Sequence, residues 1–215
     1  MEGLLKPFGE LVLYQDYGQK IMDGLRPYID FTPEYPPFAL ILFRLANSFG
    51  IEWFTLVWYG MVLIATLGMM FLIKRLKGNP YIYLACILPL GGLYWDRFDV
   101  FAALFSLWAV YLAKKGSKLT MFALIVAIMI KIYPIILLPV ILLMLWKYSF
   151  KYAFFSFWIF IVTLMACIYP QKEFLDVMFK YHGKRGIQIE SLKAMPLLFK
   201  EGSVVEWGHG TYEIK

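Results

Sequence analysis

From Ile51 to Ile73 the chain carries a single charged residue, Glu52, in a run that is otherwise apolar, aromatic or small. A helix that crosses a hydrocarbon core of about 30 Å needs roughly 20 consecutive, mostly apolar residues. Lipid offers no water to satisfy a backbone, so such a run crosses as a helix. A soluble core helix is the poorer account. Composition extends the argument to the whole chain: at 61% hydrophobic and 17% charged over 215 residues, it has more apolar surface than a soluble domain of this length buries.

Basic clusters free of acids mark three loops: Lys74, Arg75 and Lys77; Lys114, Lys115 and Lys118; Lys147 and Lys151. Cytoplasmic loops of membrane proteins collect Lys and Arg, so these three are expected to face the cytoplasm. The net charge of +6 then reports orientation and not nucleic-acid binding. The intervening turns, at Trp95 to Asp99, around Lys131 to Pro134 and after Pro170, fall on the outer side.

These loops predict an all-α, polytopic transmembrane helical bundle of about six spans: 51–73, 80–94, 99–113, 119–132, 134–147 and 152–169. Residues 119–146 also fit one long tilted helix kinked at Pro134, but that would carry Lys147 and Lys151 outside, so two short helices are preferred. Residues 1–50 form an outer loop. It contains a helix over 36–50 that begins at two prolines and ends at a glycine, too short to cross and given a polar side by Arg44 and Asn47. Residues 170–215 form a second outer segment. Cys86 and Cys167 lie in apolar runs and read as small hydrophobes. No CxxC or similar ligand spacing suggests a metal, no cofactor is expected, and MEGLLKPFGELVL lacks the apolar core of a signal peptide.

The outer surface therefore gathers the unusual polar residues: Glu10, Asp16, Asp23, Asp30 and Glu34 in the first loop, Asp96, Arg97 and Asp99 at a helix turn, Lys131 beside Tyr133 and Pro134, and His182, Lys184, Arg185 and Glu190 in the tail. Ionisable residues near membrane depth are costly and mark functional sites. The plainer reading is an interfacial pair at Arg97 and Asp99 and a Lys131 that snorkels to headgroups. As a set they have a chemical logic: an acid deprotonates a hydroxyl while Lys and Arg neutralise a phosphate leaving group. There is no GxxxxGK[ST] or glycine-rich nucleotide loop, and His182 and His209 lack a nucleophile elbow.

Four blocks also carry a resemblance. YQDYGQKIMDGLRPYIDFTPEYPPFAL, Tyr14 to Leu40, resembles the first external loop of the GT-C glycosyltransferases of family 87, polyprenyl-phosphate-mannose-dependent mannosyltransferases. Arg97-Phe98-Asp99 is similar to that group's Arg-Tyr-Asp, Lys131-Ile132-Tyr133-Pro134 to its Lys-Leu-Tyr-Pro, and HGKRGIQIES, His182 to Ser191, to a fourth block. The resemblance implies an inverting membrane enzyme of the cell membrane, active on its non-cytoplasmic face. It would move a hexose, mannose by analogy, from a polyprenyl-phosphate donor to a hydroxyl on a glycan or glycolipid acceptor. The family's first-loop aspartate falls at Glu10, leaving Glu10, Asp16 and Asp30 as candidates for the catalytic base. Arg97, Lys131 and Arg185 would bind the donor phosphate; Tyr35, Trp95 and Tyr133 would border sugar or prenyl chain; Glu34, Asp99, His182 and Glu190 complete the expected binding set. The family places one helix before the first loop and several after the fourth block, so the chain reads as a fragment or a product shortened at both ends, with a complementing polypeptide as a further partner. Two other classes fit the same features: a transporter or flippase of a lipid-linked sugar, and a non-catalytic scaffold.

Overall fold

The structure is a computed structural model that describes residues 9–169, 173–177, 187–188, 196, 205–208 and 211–214. The chain divides into two compact units, Met1–Phe174 and Leu175–Lys215. In the first, the described residues build nine helices: α1 (Glu10–Met22), α2 (Pro37–Asn47), α3 (Phe54–Arg75), α4 (Pro80–Ile87), α5 (Gly92–Asp96), α6 (Asp99–Lys114), α7 (Thr120–Ile130), α8 (Leu138–Trp146) and α9 (Phe150–Ile168). The second unit adds a small antiparallel sheet of β1 (Ile187–Gln188), β2 (Val205–Gly208) and β3 (Thr211–Ile214) in the order β1-β3-β2. The expectation of an all-helical chain did not include it.

Local chemistry explains the limits of α2 and α4. α2 starts with Pro37 at its first position, where a missing N–H costs nothing. Asn79 caps α4 by accepting from the Tyr81 N–H at 2.9 Å, with Pro80 next. The outward segment expected over 80–94 is not one helix. A short 3-10 turn at Leu88–Leu90, containing Pro89, and Gly91 with φ of 51° separate α4 from α5.

Two helical stretches, Ile51–Arg75 and Phe150–Ile168, are long and apolar enough to cross a membrane; Pro37–Asn47, Pro80–Leu90, Thr120–Ile130 and Tyr133–Trp146 are apolar but shorter. The protein is thus membrane-associated by composition and length. Ile64, Val162 and Phe155 on the two long helices are largely exposed, as side chains facing lipid would be.

Polar contacts fix which helix ends lie together. Trp58 Nε1, near the start of α3, donates to the Trp95 carbonyl at 3.0 Å, and Tyr59 Oη donates to Asp96 Oδ1 at 2.9 Å. Lys131, just past α7, reaches Asp99 at the start of α6 at 2.6 Å. At the opposite end Tyr148 Oη donates to the Lys114 carbonyl at 2.5 Å and Tyr152 Oη to the Gly116 carbonyl at 3.1 Å. Chain direction therefore reverses between α7 and α8, and 119–146 is not one helix. Lys131 adopts an extended conformation, φ −153° and ψ 138°, and a 3-10 turn, Tyr133–Leu137, follows. Around this hairpin Ala109, Leu124, Met129, Ile141, Leu145 and Phe160 form the apolar core of α6 to α9.

The first loop holds a helix that the sequence reading left as loop. α1 buries Leu11, Tyr14 and Gly18, a spacing of three and four that is helical. It packs on α2 so closely that a Cβ on Gly18 would stand 2.0 Å from Asn47 Nδ2 and 2.5 Å from the Phe43 carbonyl oxygen. Asn47, expected on a polar interfacial face with Arg44, is instead buried and donates to the Gln15 and Phe43 carbonyls at 3.0 and 3.3 Å. α2 is thus a packed helix whose open side carries Ile41, Arg44 and Leu45.

Candidate active site

Phe98 is the pivot of the polar end. It is 1% exposed, and its ring meets those of Tyr35, Tyr14 and Phe43 with centroids at 5.0, 5.6 and 5.8 Å. Burying this ring turns its two charged neighbours apart. Arg97 reaches Glu10 Oε1 at 2.7 Å, and Asp99 meets Lys131 at 2.6 Å. The Lys131 ammonium also lies 5.0 Å from the centre of the Phe98 ring, a cation–π distance. Backbone dipoles favour the second pair, because Asp99 sits in the first turn of α6 and Lys131 at the end of α7.

Glu10 opens α1 and accepts a second hydrogen bond, from Tyr14 Oη at 2.5 Å. Burial pushes the Tyr14 phenol far above its ordinary range, and the neighbouring Tyr35 and Glu10 push it further, so Tyr14 is a permanent donor to the carboxylate. Side chains in the Glu10–Arg97 pair are 37% and 46% exposed. Ion pairs this open contribute little to stability, so the pair positions charge more than it holds the fold.

A cleft of about 290 Å³ opens beside these groups, lined by Arg97, Asp99 and Tyr133 at its polar side and by Met69, Leu90, Val100 and neighbouring apolar or tyrosine side chains elsewhere. Its chemistry is amphiphilic, with cation and carboxylate against an aliphatic wall.

Of the residues expected at a site, the structure brings together Glu10, Tyr35, Arg97, Asp99, Lys131 and Tyr133. Asp16 and Asp30 stand apart. Asp16 is exposed and pairs with Lys20 at 2.6 Å. Asp30 accepts from the Arg26 side chain and backbone in an exposed turn, and those hydrogen bonds hold its carboxyl below the usual range. Glu34 lies near Tyr17 and Tyr35, whose phenols burial pushes up and the Glu34 charge raises further. Asp96 is taken by Tyr59, and the carbonyl of Trp95 by Trp58. His182, Lys184, Arg185 and Glu190 lie outside the described residues, and among those described no group of three or more His, Cys, Asp and Glu is placed to hold a metal ion. Sequence reasoning missed Tyr14 and the tyrosine pair Tyr83 and Tyr94. Tyr14 stands four residues after Glu10, a helical spacing that points to it once α1 is recognised.

An apolar helical bundle with a paired-charge end and an amphiphilic cleft describes a membrane-associated protein. The sequence profile of glycosyltransferase family 87 matches residues 31–206, and the chain belongs to that family. It is a glycosyltransferase by descent, and the matched region holds the Arg97 and Lys131 blocks, while Glu10, Asp16 and Asp30 precede it. No curated protein and no solved structure matches the chain.

Proposed function

We propose that this chain is a polytopic, GT-C-like glycosyltransferase that moves a hexose, mannose, from a polyprenyl-phosphate donor to an acceptor hydroxyl on the non-cytoplasmic face of the cell membrane, inverting the anomeric centre. The observation that carries this reading is the pairing of Glu10 with Arg97 and of Asp99 with Lys131 around one buried ring, beside an amphiphilic cleft. Acid, cation and apolar wall are the three things that an acceptor hydroxyl, a phosphate and a prenyl chain require.

In this mechanism Glu10 removes the acceptor proton as the acceptor oxygen attacks the anomeric carbon, while the bond from that carbon to the phosphate oxygen breaks. Polyprenyl phosphate leaves with the electron pair, and Arg97 and Lys131 neutralise its growing charge. Guanidinium carries five donors, so Arg97 can hold Glu10 and the phosphate at once. Asp99 holds the Lys131 ammonium in place until the phosphate arrives. Tyr35, Trp95 and Tyr133 border the sugar or the prenyl chain. The segments 80–94, 99–113, 119–132 and 134–147 each cross and, with the two long helices, complete six spans. A complementing polypeptide would supply helices beyond these.

Lys131→Met tests the assignment, since Met keeps length and apolar stem and removes the charge. Transfer from polyprenyl-phosphate mannose should fall roughly 10²- to 10³-fold, the loss typical of a single donor to a developing anion. Arg44→Met, on the open side of α2, should leave the rate within about twofold. A Lys131→Met protein that folds and transfers at the wild-type rate overturns the phosphate role. Movement of intact lipid-linked sugar without transfer would instead assign the site to transport.

A further inference from the structure

Two tyrosines of the cleft belong to a hydrogen-bond chain whose direction is fixed by its buried end. Thr66 is 4% exposed, and its hydroxyl donates to the Val62 carbonyl one turn back in α3 at 2.8 Å, a common use of a threonine inside a helix. That consumes its only proton. Tyr94 Oη, 2.7 Å from Thr66 Oγ1, must therefore be the donor in that contact. Tyr83 Oη lies 2.6 Å from Tyr94 Oη, and with the Tyr94 proton already committed, Tyr83 donates to Tyr94. The chain ends there: the Tyr83 proton is spent inward, and among the described residues nothing donates to its oxygen. A hydroxyl that could normally give or take has been converted into an acceptor. Both tyrosines line the cleft that Arg97 and Asp99 border.

We propose that the Tyr83 hydroxyl is a specificity-determining acceptor for a sugar hydroxyl of the donor, its polarity set from a distance by Thr66. This rests on the reading of the cleft as the donor site. Arg97 would locate the phosphate and Tyr83 would demand a hydrogen-bond donor on the ring attached to it, rejecting a sugar that offers only an acceptor at that position. Tyr94 and Thr66 are positioning residues that act through Tyr83.

The probes are polyprenyl-phosphate mannose and a series in which each ring hydroxyl in turn is replaced by fluorine, which cannot donate. The wild-type protein should show KM raised about tenfold for one fluoro position, the usual order for one lost hydrogen bond. Tyr83→Phe should raise KM for the parent donor by a similar factor, with little change in kcat, and should abolish the discrimination at that position. Thr66→Val is nearly isosteric and frees the Tyr94 proton to turn toward Tyr83. It should keep parent transfer within a few-fold while shrinking the fluoro discrimination. Thermal melting of both variants checks the fold. Undiminished fluoro discrimination in a folded Tyr83→Phe protein overturns the proposal, as does a Thr66→Val protein that discriminates as the wild type does. Failure of the wild-type protein to use any donor of the series would count instead against the glycosyltransfer reading.

Discussion

The two ends of the helical bundle use charge in opposite ways. At one end, acids and bases are interleaved and matched, Glu10 with Arg97 and Asp99 with Lys131. At the other, Lys74, Arg75, Lys77, Lys114, Lys115, Lys118, Lys147 and Lys151 carry a single sign, and among the described residues none of the eight is in an ion pair. Arg75 and Lys115 rest instead over the rings of Phe71 and Tyr111, at 4.9 and 5.3 Å from their centres. Unpaired cations serve headgroups and set orientation. On the proposed function, matched pairs beside a cleft exchange a partner for a substrate charge. On that reading, the difference separates a surface that holds the protein in place from one that acts on a ligand.

The largest effect should come from removing the acid of the matched end. Glu10→Gln preserves shape and one acceptor while deleting the base, so transfer should fall about 10²- to 10⁴-fold. Asp16→Asn and Asp30→Asn, whose carboxylates lie in separate exposed pairs, should leave the rate nearly unchanged. If Asp16→Asn is the inactive variant, the base belongs to the exposed face of α1 and the comparison of the two ends loses its catalytic meaning.

Gly18→Ala probes how α1 delivers Glu10 to that end. A methyl group there must displace Asn47 and a backbone carbonyl, and overpacking of this kind typically costs about 1–3 kcal/mol. The melting temperature should drop, and transfer should weaken because α1 no longer seats on α2. An unchanged melting temperature would mean that the contact between α1 and α2 is looser than it looks.

A smaller effect is expected at high pH. Burial, with help from Glu34 and Asp16, pushes the Tyr17 phenol up from 10.0 to about 12. A phenol whose folded pKa is raised contributes its full stabilisation below the unfolded value and loses it as pH climbs through the folded one. Between pH 10 and 12 the wild-type melting temperature should therefore fall more steeply than that of Tyr17→Phe. Parallel curves would remove Tyr17 from the alkaline transition.

Much of this arrangement was legible in the sequence because it depends on periodicity and charge sign. The break at Lys131 followed from Pro134 and from the need to keep Lys147 and Lys151 on the basic side, and the hydrogen bond from Tyr148 to Lys114 agrees with that need. Arg97, Asp99 and Lys131 stood out as charges amid apolar runs. Which acid pairs with which cation could not be read, because Glu10 and Arg97 are far apart in sequence and meet only once Phe98 is buried. α1 was hidden for a different reason: its buried face is made of Leu11, Tyr14 and Gly18, and neither a tyrosine nor a glycine marks an apolar stripe. The direction of the Thr66, Tyr94 and Tyr83 chain depends on a single proton committed to a backbone carbonyl, which no residue spacing encodes.

Opposite exposure of the two ends is the claim on which the rest depends, and thiol labelling in intact cells tests it most directly. In a background of Cys86→Ala and Cys167→Ala, single cysteines are placed by Ile132→Cys at the matched end and by Lys77→Cys and Ser117→Cys at the basic end. A membrane-impermeant maleimide should label position 132 rapidly and reach 77 and 117 only after the cells are permeabilised. Rapid labelling of 77 and 117 in intact cells, with 132 protected, would put the matched charges on the cytoplasmic side and contradict the account.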